Sequence, residues 1–292
     1  VNRSADTHPH QLRLQQTLAQ WQHWQCKPPL TAPPVLEGPL GGGLSNHNFL
    51  ASAGQHRFVV RIDGIDPRSH GLSRQVEWRT LQSASAARIA PVPRYFNPDL
   101  GAMVVDYRKP DAEQGVALDE LAGLIHRIHA LPPVHHRVNL AERIQRYQRR
   151  LTRMARPGLP DAYGQGVKNL LQTLHDTDDG RRTITHNDLL PANLLRSEDR
   201  LLALDWEYCG LGSPWFDLAV ASLGQQLTPK RQAALLEHYL GESPTAEQCL
   251  RLRRYRALAR YIELLWHLAE SPAEDLGQRL HSGLRLIDKE QY

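Results

Sequence analysis

The sequence predicts an α+β chain in two lobes, a small β-rich lobe followed by a larger, mostly helical one. Three observations carry this. Short β-like runs, broken by Gly, Pro and Asn, crowd residues 33–107. From residue 117 onward, apolar residues recur at helical spacing in nearly every segment. One short β-like island, 184–208, interrupts those helices and sets acidic and amide side chains beside runs of leucine. Strands grouped first and helices second are the α+β order, not the βαβ alternation of a parallel sheet.

In chain order, "HPHQLRLQQTLAQWQHW" reads as a helix stopped by "KPPLTAPP". Residues 1–32 are therefore expected to form a helical extension, 33–107 the N-terminal lobe and 108–292 the C-terminal lobe. "VLEGPL" is a first strand, "GGGLSNHN" a Gly/Asn turn, and "FLASAG" and "HRFVVRI" two further strands. "LSRQVEWRTLQSASAA" has helical spacing, with Ser73 available as its cap. "AMVVDY" is another strand, and the link between lobes is expected near 104–107. "ALDELAGLIHRIHAL" is amphipathic, with Leu118, Leu121, Leu124, Ile125, Ile128 and Leu131 on one face. Further helices are expected over roughly 140–155, 163–175, 215–224, 229–240 and 247–270.

Composition narrows the function classes. Hydrophobic residues are 41% and charged residues 23% of 292, ordinary for a globular chain able to bury a sizeable core. No apolar run approaches the ~18 residues of a membrane span, and "VNRSADTHPHQLRLQQ" lacks the apolar stretch of a secretory leader. No membrane partner is expected. Cys26, Cys209 and Cys249 are far apart without CxxC spacing, which argues for reduced thiols in a cytoplasm and against a disulfide framework or zinc site. The net charge is +4, and the densest basic run is "RIQRYQRRLTRMAR", 143–156. It carries no aromatic platform or binding motif, so it reads as a solvated helix face and no nucleic-acid partner is expected. A mildly basic chain suits an anionic ligand such as a nucleotide.

The chemistry-bearing segment is "ITHNDLLPANLLRSEDRLLALDWEY". His186, Asp188 and Asn193 form H-x-D-x-x-x-x-N, and Asp205 follows an apolar run that reads as a buried strand. The Asp-to-Asn spacing matches the protein-kinase catalytic loop, and Asp205 stands where those enzymes carry the aspartate of D-F-G. A phosphoryl acceptor hydroxyl needs an oriented carboxylate to take its proton, which suits Asp188. Mg²⁺ takes hard oxygen ligands, which suits the Asn193 amide and the Asp205 carboxylate. Pro191 stiffens the loop between them, and His186 is expected to orient it.

"HNDLLPANLL" followed by "LDWEYCGLGSPWFDLA" resembles the choline/ethanolamine kinase and aminoglycoside phosphotransferase superfamily, within it the bacterial choline-kinase-like and thiamine-kinase-like branch. The H-N-D form stands where aminoglycoside enzymes typically read H-G-D. The resemblance spans roughly residues 35–270 and implies a two-lobed, protein-kinase-like fold. It implies ATP and Mg²⁺ as cofactors and a small-molecule alcohol as acceptor. It makes Asp188 the catalytic base, Asn193 and Asp205 the metal ligands, and Asp217 of "WFDLA" a buried carboxylate steadying the loop. Glu207 would touch metal-bound water or substrate.

On the nucleotide side, Gly42, Gly43, Ser45 and Asn46 are placed to approach phosphates. Arg61 of "FVVRI" stands where protein kinases carry the strand lysine, and its guanidinium fork can engage phosphate oxygens in two parallel bonds. Glu77 is placed to pair with Arg61, with Asp63 as a rival partner on the same strand face. Val59 and Val104 are candidate walls for the adenine. A choline- or thiamine-type acceptor is a cation, recognised by aromatic faces and carboxylates. Trp215, Tyr261, Glu263 and Trp266 are the candidates for that pocket. An aminoglycoside or sugar acceptor, and a non-catalytic kinase-like binding protein, are the alternative readings.

Overall fold

The computed structural model describes residues 9–41, 46–112 and 115–291. These fall into two compact units, described separately below. One comprises the described residues of Val1–Gln114 with Leu195–Glu207; the other comprises Gly115–Leu194 and the described residues from Tyr208 on.

The first unit is built on a five-stranded antiparallel sheet in the order β1-β2-β3-β5-β4, with β1 Val35–Leu40, β2 Asn46–Ala53, β3 His56–Asp63, β4 Pro93–Asn97 and β5 Ala102–Asp106. Alternation decides its two faces. Phe58, Val60 and Ile62 of β3 join Ala51, Tyr95 and Val104 in one apolar core, closed by Leu14, Trp24 and Cys26. Leu14 lies on α1 (Pro9–Ala19), so the segment read as an extension supplies one wall of this core. Val59, Arg61 and Asp63 face the other way. Register carries Asn46, opposite Asp63, onto that same face. Asn46–Asn48, expected in a turn, are already strand.

Helix α2 (Pro67–His70) is a single turn. Helix α3 (Arg74–Ala86) follows, its Val76 amide donating to Ser73 Oγ at 3.4 Å, which is the cap expected of Ser73. The hairpin of β7 (Leu194–Ser197) and β8 (Arg200–Ala203) completes the unit, with the Ala203 amide donating to the Ile89 carbonyl at 2.8 Å.

The second unit is helical apart from β6 (Thr183–Thr185), paired antiparallel with β9 (Gly210–Gly212). Its helices are α4 Leu118–His129, α5 Leu140–Arg153, α6 Asp161–Asp176, α7 Pro214–Gly224, α8 Pro229–Leu240, α9 Ala246–Glu270 and α10 Leu276–Gln291. Leu121, Leu124, Ile125 and Ile128 of α4 are fully buried, as their spacing predicts. The chain buries α7 from Pro214 to Leu223, and α9 packs against α5, α6, α7 and α10. Thr245 and Gln248 close the start of α9 reciprocally, through bonds of 2.7 and 3.2 Å. Among the described residues, no helix is long and apolar enough to cross a membrane.

Candidate active site

In the first unit, the polar face of the sheet meets α3 and the residues after β8 in one buried network. Arg61 turns its fork on Glu77: Nη2 donates to Oε2 at 2.8 Å and Nη1 to Oε1. Arg61 Nη1 also lies 3.5 Å from Asp205 Oδ1. Asp63, the rival partner, is 3.9 Å from Arg61 and is held by Arg74 instead, through Nε at 3.1 Å and Nη2 at 2.9 Å. Arg74 further donates to Glu77 Oε2 at 2.8 Å, Glu207 Oε2 at 3.1 Å and Asn46 Oδ1 at 3.3 Å.

Burial pushes on each of these groups, and its balance against the neighbouring charges decides the outcome. Glu77 is enclosed, which favours its neutral form, yet the two guanidiniums against it hold its carboxyl below the ordinary range. For Asp63, burial outweighs Arg74 and Arg61, and its carboxyl is raised. Burial opposes the charge of Arg61, and the Glu77 carboxylate more than restores it.

A buried guanidinium needs a carboxylate at close range, and both terminal nitrogens of Arg61 find it in Glu77, the partner expected for it. Several expectations change here. The Asn46 amide, expected on phosphate, donates to Glu207 Oε2 at 3.0 Å. Glu207, expected on metal-bound water or acceptor, is buried by these contacts to Arg74 and Asn46. Val104 points into the apolar core. Val105 is the residue paired across from Val59 and sharing its face. Gly42, Gly43 and Ser45 lie outside the described residues.

The second unit holds the other half of the motif. Asn193 Nδ2 donates to Asp188 Oδ2 at 2.7 Å and to the Asp188 carbonyl at 2.9 Å, which leaves Oδ1 as the amide's acceptor. Leu189, fully buried, anchors the loop between them. Asp217, at 0% exposure, accepts from the amides of His186 at 2.8 Å and Asn187 at 2.6 Å. A third contact reaches it from α4: His129 Nε2 lies 3.1 Å from Asp217 Oδ2, and His129 Nδ1 lies 2.8 Å from the Tyr239 hydroxyl of α8. Asn187 has positive φ, 66°, which Asn tolerates. Its Nδ2 donates to Thr185 Oγ1 and to the Tyr208 carbonyl, each at 2.9 Å.

Gly224 ends α7 against the same loop. A Cβ there would stand 2.8 Å from Pro191 Cδ and 3.3 Å from Leu190 Cα. Gly224→Ala is therefore expected to displace the loop and lower kcat tenfold or more, at a stability cost of about 1–3 kcal/mol. Parallel kinetics and thermal unfolding check this, and unchanged kcat would remove the contact's functional importance.

The residues expected around the acceptor do not converge. Tyr261 is buried in the helical core. Glu263 is exposed and paired with Arg260 at 2.8 Å, while Trp266 is half-buried and edge-on to His267. Trp215 is buried, with the Arg251 guanidinium 5.4 Å from its ring centre. The ring of Tyr208 is likewise covered, by Arg143 of α5 at 4.2 Å. Sequence reasoning placed Arg143 on a solvated face. It is half-buried instead, with Nε enclosed and without a hydrogen-bond acceptor. Burial opposes its charge, and Tyr147, Tyr208 and the Asp188 carboxylate together raise its pKa.

Comparison with known proteins places this geometry. The model of the phosphotransferase enzyme family matches residues 38–258. Thiamine kinase of Escherichia coli is 30% identical over 184 residues, 62% of this chain and 63% of that protein. Protein LicA of Haemophilus influenzae is 31% identical over 115 residues, 36% of this chain and 43% of LicA. The chain thus spans less than two thirds of either relative's length. A choline/ethanolamine kinase family protein from Mesorhizobium loti shares the fold at a TM-score of 0.72 and 20% identity, over 95% of this chain and 94% of that one. The family match covers well over half of the 292 residues and includes Arg61, Glu77, Asp188, Asn193, Asp205 and Asp217, and the chain belongs to the phosphotransferase enzyme family.

Proposed function

We propose that this chain transfers the γ-phosphoryl group of ATP to the hydroxyl of a small-molecule alcohol, with Mg²⁺. The observation that carries the reading is the Asp188 loop. Its carboxylate is only half-buried, while Asn193 fixes one oxygen and Asp217 fixes the two preceding amides. That is the preorganisation a general base requires. Asp188 takes the proton of the acceptor hydroxyl, the oxygen forms a bond to phosphorus, and the bond from phosphorus to the β–γ bridging oxygen breaks to leave ADP.

The donor set fits Mg²⁺. Among the described residues no three His, Cys, Asp or Glu side chains converge as a metal cage. Mg²⁺ asks for less, one or two protein oxygens beside phosphates and water. Asp205 is more exposed than Asp63, Glu77 or Glu207, at 34% of its side chain, and Asn193 offers Oδ1. Bound Mg²⁺ neutralises charge on the nucleotide phosphates. Arg61 and Glu77 tie β3 to α3.

The expectation of a cationic acceptor is supported by what the relatives' names say of them. The aromatic faces give it no support, since Tyr208 and Trp215 are already covered by arginine. ADP release from Mg·ATP is the test, across choline, ethanolamine, thiamine, a hexosamine and an aminoglycoside, with and without EDTA. Acceptor-dependent release that EDTA removes and Asp205→Asn lowers at least tenfold is expected. Nucleotide binding without release from any acceptor would favour the non-catalytic reading.

A further inference from the structure

The Asp188 loop has a cation beside it that the reaction described so far does not use. Arg143 lies over Tyr208, and the Tyr208 carbonyl accepts from Asn187, the residue immediately before Asp188. The guanidinium has no carboxylate at ion-pair distance among the described residues, and its enclosed Nε has no acceptor. Other arginines of this helical unit are matched: Arg150 with Glu270, Arg251 with Asp179 and Arg256 with Glu290. The Asp188 carboxylate acts on this cation only from beyond ion-pair distance, and the tyrosine face offsets only part of the cost of desolvating it. An arginine's remaining donors suit a carboxylate or phosphate, which they meet through two parallel hydrogen bonds.

The same arrangement disfavours a cation at this place. One face of the Tyr208 ring is taken by Arg143, and a second positive charge beside that guanidinium is repelled. Trp215 lies under Arg251, Tyr261 is in the core and Glu263 is exposed.

We infer that the acceptor phosphorylated at Asp188 is an anionic alcohol, a molecule bearing a hydroxyl and a carboxylate or phosphate group, and that Arg143 of α5 binds its anion. This rests on the phosphotransfer reading and names its substrate class. Arg143 is then a specificity-determining residue: it selects the acceptor by charge and takes no part in bond making.

The test measures kcat and KM for ADP release from Mg·ATP by the full chain, with acceptors grouped by charge. Choline and thiamine are the cations, glycerol and glucose the neutral alcohols, glycerate the hydroxy acid and glycerol phosphate the phosphorylated alcohol. The last two distinguish carboxylate from phosphate. The expected result is the highest kcat/KM for one of the anionic pair. Arg143→Gln should then raise its KM about 10–100-fold with little change in kcat, and Arg143→Lys should recover part of the loss. A merely structural role would lower stability and kcat without that split. Should Arg143→Gln fail to fold, the wild-type ranking alone decides. A cation or neutral alcohol ranked first overturns the inference and leaves phosphotransfer standing. Bound nucleotide with no release from any acceptor removes both.

Discussion

Asp188→Asn is expected to lower kcat by roughly 10²–10⁴-fold while leaving the fold and nucleotide binding intact. The substitution is nearly isosteric. The new amide oxygen can still accept from Asn193 Nδ2, now 2.7 Å from Asp188 Oδ2, and the Asp188 carbonyl keeps its bonds to Leu190 and Asn193. What is lost is the ability to take a proton from the acceptor hydroxyl. The magnitude separates two roles: a residue that only shaped the loop would be served almost as well by asparagine, with a loss below about tenfold. Single-turnover product formation, beside thermal unfolding and nucleotide titration, reads the three effects apart. Turnover within threefold of wild type would end the assignment of Asp188 as base.

Much of this was legible in the sequence, for identifiable reasons. The strands of the first sheet announced themselves as short apolar runs bounded by Gly, Pro and Asn, of which "HRFVVRI" is one. The Asp188 loop was legible because the chemistry proposed for it needs fixed residue types at fixed spacing. Other elements gave weaker signals. Strand β4 begins at a proline and is five residues long. Helix α10 contains two glycines, which lower helix propensity; Gly283 is there because a Cβ would overlap the Leu264 side chain of α9.

Arg74 was passed over although it left a trace. An arginine at the first position of a helix opposes the helix dipole, and such a placement needs a reason. Here the reason is four partners, Asp63, Glu77, Glu207 and Asn46. The contacts of Glu207 could not be read without it, since nothing local pairs that carboxylate with a guanidinium 133 residues earlier in the chain. His129, Tyr239 and Arg143 depend on tertiary contacts between helices distant in sequence, and no local pattern encodes those.

The largest stability effect is expected at Asp217. Asp217→Ala strips the acceptor from two buried amides, His186 and Asn187, and from His129, and the enclosed site gives water no ready entry. Unsatisfied buried donors cost about 1–3 kcal/mol each, so the loss is expected at about 3–5 kcal/mol. Asp217→Asn separates acceptor count from packing. Its one oxygen can satisfy one amide, but its NH₂ then faces the other donor, so an intermediate loss is expected with the side-chain volume unchanged. Function should fall with both variants, because the two amides fix the backbone entering Asp188. Amide exchange at His186 and Asn187 distinguishes this from general loosening: those two should accelerate in either variant before the amides of α9 do. Uniform acceleration across the unit would instead make Asp217 a core residue whose loss reaches the loop only through unfolding.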